Sequence, residues 1–193
     1  MIDRRAVVTG LLACCVGPVR AQQADPLAGR FGGPFDLVAS HGRRFTDRDF
    51  RGRFMLIYFG YTRCPDVCPV DLLTMSQALN LLGPDAERIQ PLFITVDPAR
   101  DTPELLADYV SSFHPRLLGL GGDDKAIADV VRAYKVHRVK YIPASDPTNY
   151  GVDHSSLAYL MGPDGQFRTI IPHGGTPERM AEIVRTYLAR EAK

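Results

Sequence analysis

The chain has 193 residues, 45% hydrophobic and 23% charged, which is an ordinary globular balance and enough length for one domain with a real core. Its formal net charge of +1 supplies no basic surplus, which argues against a nucleic-acid partner. Met1-Ile-Asp-Arg-Arg5 is a short charged start, and Ala6 to Val19 is a 14-residue segment without a charge. Val19-Arg20-Ala21 then carries the small residue at −1 and the modest apolar residue at −3 that a signal peptidase prefers. Residues 1–21 are therefore expected to be a signal peptide or an N-terminal membrane anchor. Such an apolar stretch is short against the roughly 20 residues of a membrane-spanning helix. Leu11-Leu12-Ala13-Cys14 is also an imperfect lipobox, and Arg4-Arg5 a weak twin-arginine match. Loss of residues 1–21 takes three arginines and one aspartate from 23 basic and 22 acidic side chains, leaving 20 and 21, a net charge of −1.

Residues 22–30 are expected to be a linker, and residues 31–193 one domain. Asp36 to Thr46 resembles a hairpin around Gly42. Phe54-Met-Leu-Ile-Tyr-Phe59 is a continuous apolar run, the pattern of a strand buried on both faces. A loop over 60–69 follows, then a helix with Leu72, Met75, Leu79 and Leu82 at helical spacing, stopped by Gly83-Pro84. Leu92-Phe-Ile-Thr-Val96 completes a βαβ unit and predicts a parallel pair. Thr102-Pro103-Glu104 is a helix start, with Leu105, Tyr109, Val110 and Phe113 as its apolar face. Leu117 to Leu120 reads as a short strand. Asp123 is placed to cap a helix that turns Ile127, Val130, Val131 and Tyr134 inward. Lys140 to Asp153 is expected to be a Pro-rich loop. Leu157–Met161 and Gln166–Ile170 flank Gly162-Pro-Asp-Gly165, a hairpin with its turn chemistry in place. Thr176-Pro177-Glu178 starts a last helix with Met180, Ile183, Val184, Tyr187 and Leu188 toward the core. The order predicts an α/β domain with a central mixed sheet flanked by helices, antiparallel in its last strands, behind an N-terminal hairpin.

Only two cysteines follow residue 21, in Arg63-Cys64-Pro65-Asp66-Val67-Cys68-Pro69. This segment sits where a buried strand ends and a helix begins, the end at which open α/β sheets place ligands. Backbone N–H groups and the helix dipole there favour thiolate over thiol. An exported compartment would permit a disulfide between them, but so small a loop stabilises a fold little, so a chemical use is favoured. Cysteines at i and i+4 converge on one point, one residue wider than the Cys-x-x-Cys of thioredoxins. Two converging thiolates invite a soft ion, above all Cu(I), and leave room for a third ligand. His154, 86 residues after Cys68 and just before a strand, is the candidate, with Asp153 ordering its loop or supporting the imidazole. His41, His114, His137 and His173 are read as surface or loop residues. Asp97-Pro98-Ala99-Arg100-Asp101 is either a substrate loop or a polar turn with internal salt bridges. Arg63 either raises the local potential or is solvated.

Gly60-Tyr-Thr-Arg-Cys-Pro-Asp-Val-Cys-Pro69, Val96-Asp-Pro-Ala-Arg-Asp-Thr-Pro-Glu104, Asp153-His154-Ser155, Tyr159-Leu160 and Pro163-Asp-Gly165 together resemble the Sco/SenC family, in family order from about Phe31 onward. The resemblance implies a thioredoxin-like fold and copper, as Cu(I) or Cu(II), held by Cys64, Cys68 and His154. It implies a metallochaperone that delivers copper to, or prepares the cysteines of, the dinuclear copper centre of cytochrome c oxidase. The partner is then a copper-accepting oxidase subunit or another copper protein, and the location the periplasm or the outer face of a bacterial inner membrane. Members are often anchored by a longer apolar helix than the one here. Two enzymatic readings compete: a thiol-disulfide oxidoreductase using Cys64 and Cys68 as a redox-active pair, and, more weakly, a peroxidase acting through a sulfenic acid.

Overall fold

The structure, a computed structural model, describes residues 29–142, 144 and 149–191. The signal or anchor segment over 1–21 and most of the linker over 22–30 lie outside the described residues. A short hairpin opens the domain, β1 (Asp36–Val38) against β2 (Arg44–Thr46). The run of apolar residues expected to be doubly buried is β3 (Phe54–Gly60), and all seven of its residues are buried. Helix α1 (Val67–Leu82) leads to β4 (Ile89–Thr95), which pairs with β3 in parallel. Gly83 closes α1 at φ +57°, a conformation that favours glycine.

Helix α2 (Pro103–Ser111), strand β5 (Leu118–Leu120) and helix α3 (Asp124–Ala133) follow. Three helix starts behave as read, because Thr102, Asp123 and Thr176 each accept a hydrogen bond from a backbone N–H three residues on. Then come β6 (Arg138–Tyr141), β7 (Gly151–His154), β8 (Leu157–Met161), β9 (Phe167–Pro172) and α4 (Pro177–Arg190). The five-stranded sheet runs β5-β4-β3-β8-β9. Its β5-β4-β3 half is parallel, and β8 and β9 are antiparallel additions. Helix α1 packs on α4, and α2 on β5.

Three expectations need correction. The segment over 140–153 is not simply a Pro-rich loop: β6 and β7 pair antiparallel across it as a separate two-stranded sheet, Arg138 opposite His154. The buried face of α2 is Leu106 and Val110, while Leu105 is 38% exposed. The cap at Thr102 fixes the helical phase, and Leu106 and Val110 are the i, i+4 pair in that phase. His114 lies in a loop, one of the two places read for it, but is buried there, its Nδ1 accepting from the Arg116 amide at 3.1 Å. Burial, reinforced by the Arg116 charge, holds its pKa below the usual imidazole value.

A candidate metal centre at the end of β3

The site is built where β3 stops. Gly60 ends the strand, and a Cβ placed on it would lie 2.8 Å from the Cys68 Sγ and 2.8 Å from the Phe93 ring. Only glycine lets the Cys68 thiol pack against the strand. Gly60→Ala is expected to destabilise the fold by about 1–3 kcal/mol, the range for overpacking, and to displace Cys68. A denaturant midpoint within error of the wild type would show that the site has slack to absorb a methyl group.

Tyr61 to Asp66 form the loop, with the Cys64 amide donating to the Tyr61 carbonyl at 3.2 Å. Cys64 is half-buried on this loop; Cys68 is fully buried in the first turn of α1. His154 reaches the same point from the end of β7, and its Nε2 lies 3.3 Å from the Cys68 Sγ. One donor atom from each of Cys64, Cys68 and His154 lies within 4.8 Å of the other two. Metal–sulfur and metal–imidazole bonds of about 2.0–2.3 Å place neighbouring donors roughly 3.5–4 Å apart, so little movement would close this set on an ion. Among the described residues it is the group of three or more such side chains found with this convergence.

The imidazole is held for that use. Its Nδ1 lies 3.2 Å from the Ser155 carbonyl oxygen, which can only accept, so with an ion on Nε2 the ring proton would sit on Nδ1 and be bonded there. This support comes from backbone, not from Asp153. The Asp153 side chain is exposed and pairs with His137 at 3.2 Å, tying β7 to the start of β6. The rings of Tyr58 and Tyr61 stand edge-on to His154, at centroid distances of 6.3 and 5.8 Å. A groove of about 560 Å³ opens over Cys64 and His154, with Val139 and Tyr141 of β6 on its wall. Arg63 is exposed and outside that lining.

The two thiols are chemically unequal. A hydrogen bond from the Cys68 thiol, helped by His154 and by the backbone amides of Asp66 and Cys68, pulls the Cys64 pKa down to about 3 against the opposing cost of burial. Cys68, donating that proton and buried beside the Cys64 charge, is pushed well above the usual thiol range. The proton between the two sulfurs is thereby held toward Cys68. Since a lowered pKa keeps the charged form present at lower pH, alkylation of Cys64 by iodoacetamide in the reduced, metal-free protein is expected to stay nearly level from pH 8 to pH 5. An ordinary thiol of pKa about 8.5 loses roughly tenfold per unit over that range, and such a decline would overturn the assignment of the thiolate.

Behind the site is a set of residues that motif reading passed over. The Tyr58 hydroxyl donates to Asp71 Oδ2 at 2.8 Å, and His173 Nδ1 lies 2.7 Å from Asp71 Oδ1. His173, read as a loop residue, does lie in a loop, but with a buried carboxylate as partner. The available signal was Asp71 itself, an acidic residue one position before Leu72 on a helical face otherwise apolar.

The fold and the site together define a class: a thioredoxin-like α/β domain presenting two thiols and an imidazole at one strand end. The chain belongs to the SCO1/SenC family, whose model matches residues 23–189. It is similar to the protein sco1 of Schizosaccharomyces pombe, 41% identical over 168 residues, covering 85% of this chain and 63% of that one. It is similar to the mitochondrial SCO1 homologue of Homo sapiens, 43% identical over 157 residues, covering 79% of this chain and 50% of that one. The chain thus spans only half to two-thirds of the length of these two relatives. Among solved structures it is similar to Bradyrhizobium japonicum ScoI with copper bound, at 44% identity and a TM-score of 0.74, covering 81% of this chain and 99% of that one.

Proposed function

We propose that this chain is a copper metallochaperone, with Cys64, Cys68 and His154 as its ligands and copper as its cargo. The convergence of the three donor atoms within 4.8 Å carries the reading. Two sulfurs and one imidazole make a soft set with an affinity for Cu(I). Solvent access through the groove over Cys64 lets an acceptor's cysteine replace the ligands one at a time. Relatives solved with copper, the ScoI proteins of B. japonicum and Arabidopsis thaliana at 44% and 34% identity, support copper as the ion. Family membership supports the assembly of the dinuclear copper centre of cytochrome c oxidase as the purpose, either by delivery of copper or by preparation of the acceptor's cysteines. The acceptor is then a copper-binding oxidase subunit or another copper protein. In keeping with this, residues 1–21 direct export, and the domain works in the periplasm or at the outer face of the inner membrane. No helix among the described residues is long and apolar enough to cross a membrane.

Anaerobic titration of the reduced protein with Cu(I) tests the reading. One equivalent bound, and lost in His154→Ala, supports it; no binding overturns it. A second reading, thiol-disulfide exchange, is favoured by the Cys64 thiolate with a protonated Cys68 beside it, which is the arrangement of an attacking and a resolving thiol. The two readings share their cysteines. Oxidation to a Cys64–Cys68 disulfide would remove both sulfur ligands at once, so metal loading would follow the redox state of the pair.

A further inference from the structure

The candidate ligands arrive on two arms that belong to different sheets. Cys64 and Cys68 follow β3 of the main sheet, whereas His154 ends β7 of the two-stranded sheet. The loop over 97–101, at the end of β4, bonds to both arms. Toward the cysteines, Asp101 Oδ1 accepts from Thr62 Oγ1 at 2.6 Å, and Oδ2 accepts from the Thr62 amide at 3.1 Å and from Thr95 Oγ1 at 2.6 Å. Thr95 Oγ1 in turn accepts from the Asp97 amide at 2.9 Å, so its own proton is committed to Asp101. Toward the histidine, Asp97 Oδ1 accepts from the Tyr150 hydroxyl at 2.7 Å, and Arg100 Nη1 donates to the Tyr150 carbonyl at 2.8 Å. The Arg100 guanidinium also lies 3.6 Å over the Tyr150 ring and pairs with Asp97. Arg138, opposite His154 in the β6–β7 ladder, donates to the Val96 carbonyl at 2.6 Å.

A polar turn held only by its own salt bridge would leave its carboxylates in water. Asp97 is 0% exposed and Asp101 is 3% exposed, and most of their side-chain bonds leave the loop. Burying two carboxylates is costly unless every oxygen is satisfied, and here the donors come from both arms. We infer that the loop over 97–101 is the positioning element of the site: Asp101 sets the cysteine arm, and Asp97 with Arg100 sets the histidine arm, so that their spacing brings Nε2 to the thiols. The metal half of this inference rests on the copper reading; the cysteine half does not.

The test uses the full, reduced chain. Tyr150→Phe and Asp97→Asn loosen the histidine arm; Thr62→Val and Asp101→Asn loosen the cysteine arm. Thermal midpoints identify any variant that no longer folds, and the milder pair, Tyr150→Phe and Thr62→Val, each remove one hydroxyl and carry the test alone if the aspartate variants unfold. Cu(I) retention is read against a colorimetric chelator, and the dithiol–disulfide equilibrium against dithiothreitol. Tyr150→Phe is expected to weaken Cu(I) retention roughly 10-fold to 100-fold, the range for residues that orient ligands, with the dithiol equilibrium unchanged. Thr62→Val is expected to move that equilibrium constant about tenfold, about 30 mV for two electrons. Wild-type retention in Tyr150→Phe, or an equal dithiol shift in both variants, would overturn the division of labour. If the wild type itself takes no Cu(I), the copper reading fails, and an unchanged dithiol equilibrium in Thr62→Val then overturns the remaining half.

Discussion

Cys64→Ser and Cys68→Ser are each expected to abolish both copper binding and dithiol exchange, but they should leave different remnants. Serine is near in shape and can donate a hydrogen bond, yet it supplies neither a soft ligand nor a redox partner. With Cys64 replaced, the remaining thiol is Cys68, whose full burial both blocks access and disfavours its thiolate, so alkylation at neutral pH should fall to near zero. With Cys68 replaced, Cys64 stays half-exposed on the loop and should remain readily alkylated. Mass spectrometry after a short iodoacetamide pulse separates the two. Equal alkylation of both single-serine variants would mean that the asymmetry between the thiols is absent in solution.

His154→Ala should divide the two chemistries. The imidazole is one of three ligands in the copper reading, so its loss should exceed the 10-fold to 100-fold effect of residues that only orient a ligand; a fall in Cu(I) retention of about 100-fold or more is expected. Dithiol exchange needs one thiolate to attack and another thiol to resolve, and His154 is neither. It does help lower the Cys64 pKa, but second to Cys68, so reductase turnover at pH 7 should change by less than about threefold, given that the thiolate fraction is already saturated. Comparable loss of both activities would place His154 in the thiol chemistry and weaken copper as its purpose.

The site residues were more legible than their surroundings. The cysteine pair announced itself because a doubly buried strand, two prolines and a helix pattern bracket it within a few residues. His154 was legible through its place before a strand and through the family resemblance, but neither revealed how it is aimed. That depends on the Ser155 carbonyl, a backbone group present at every position and so invisible to side-chain reading. The β6–β7 ladder was missed because its strands are four residues each, carry Lys140 and Asp153 among their residues and flank a segment rich in proline. Alternation is faint there since most of β6 faces solvent. The Asp97–Asp101 segment was legible as a polar turn, and it has one internal salt bridge, Arg100 to Asp97, but its bonds to Thr62 and Tyr150 span 39 and 53 residues and leave no local trace. Leu105 and His114 fail for the same kind of reason: a one-residue change of helical phase, or the packing of a neighbouring element, decides burial without altering composition.

The separate sheet that carries His154 has a thermodynamic consequence. A two-stranded ribbon is marginal by itself and depends on what it leans against. An ion shared by Cys68 and His154 would act as a cross-link between positions 86 residues apart, fastening that ribbon to the main sheet. Because the unfolded chain has no such preformed set, binding free energy becomes folding free energy, about 4.1 kcal/mol when free ion exceeds Kd a thousandfold. A bound ion would then also be a staple: loading would tie the ribbon to the main sheet, and release would remove that restraint.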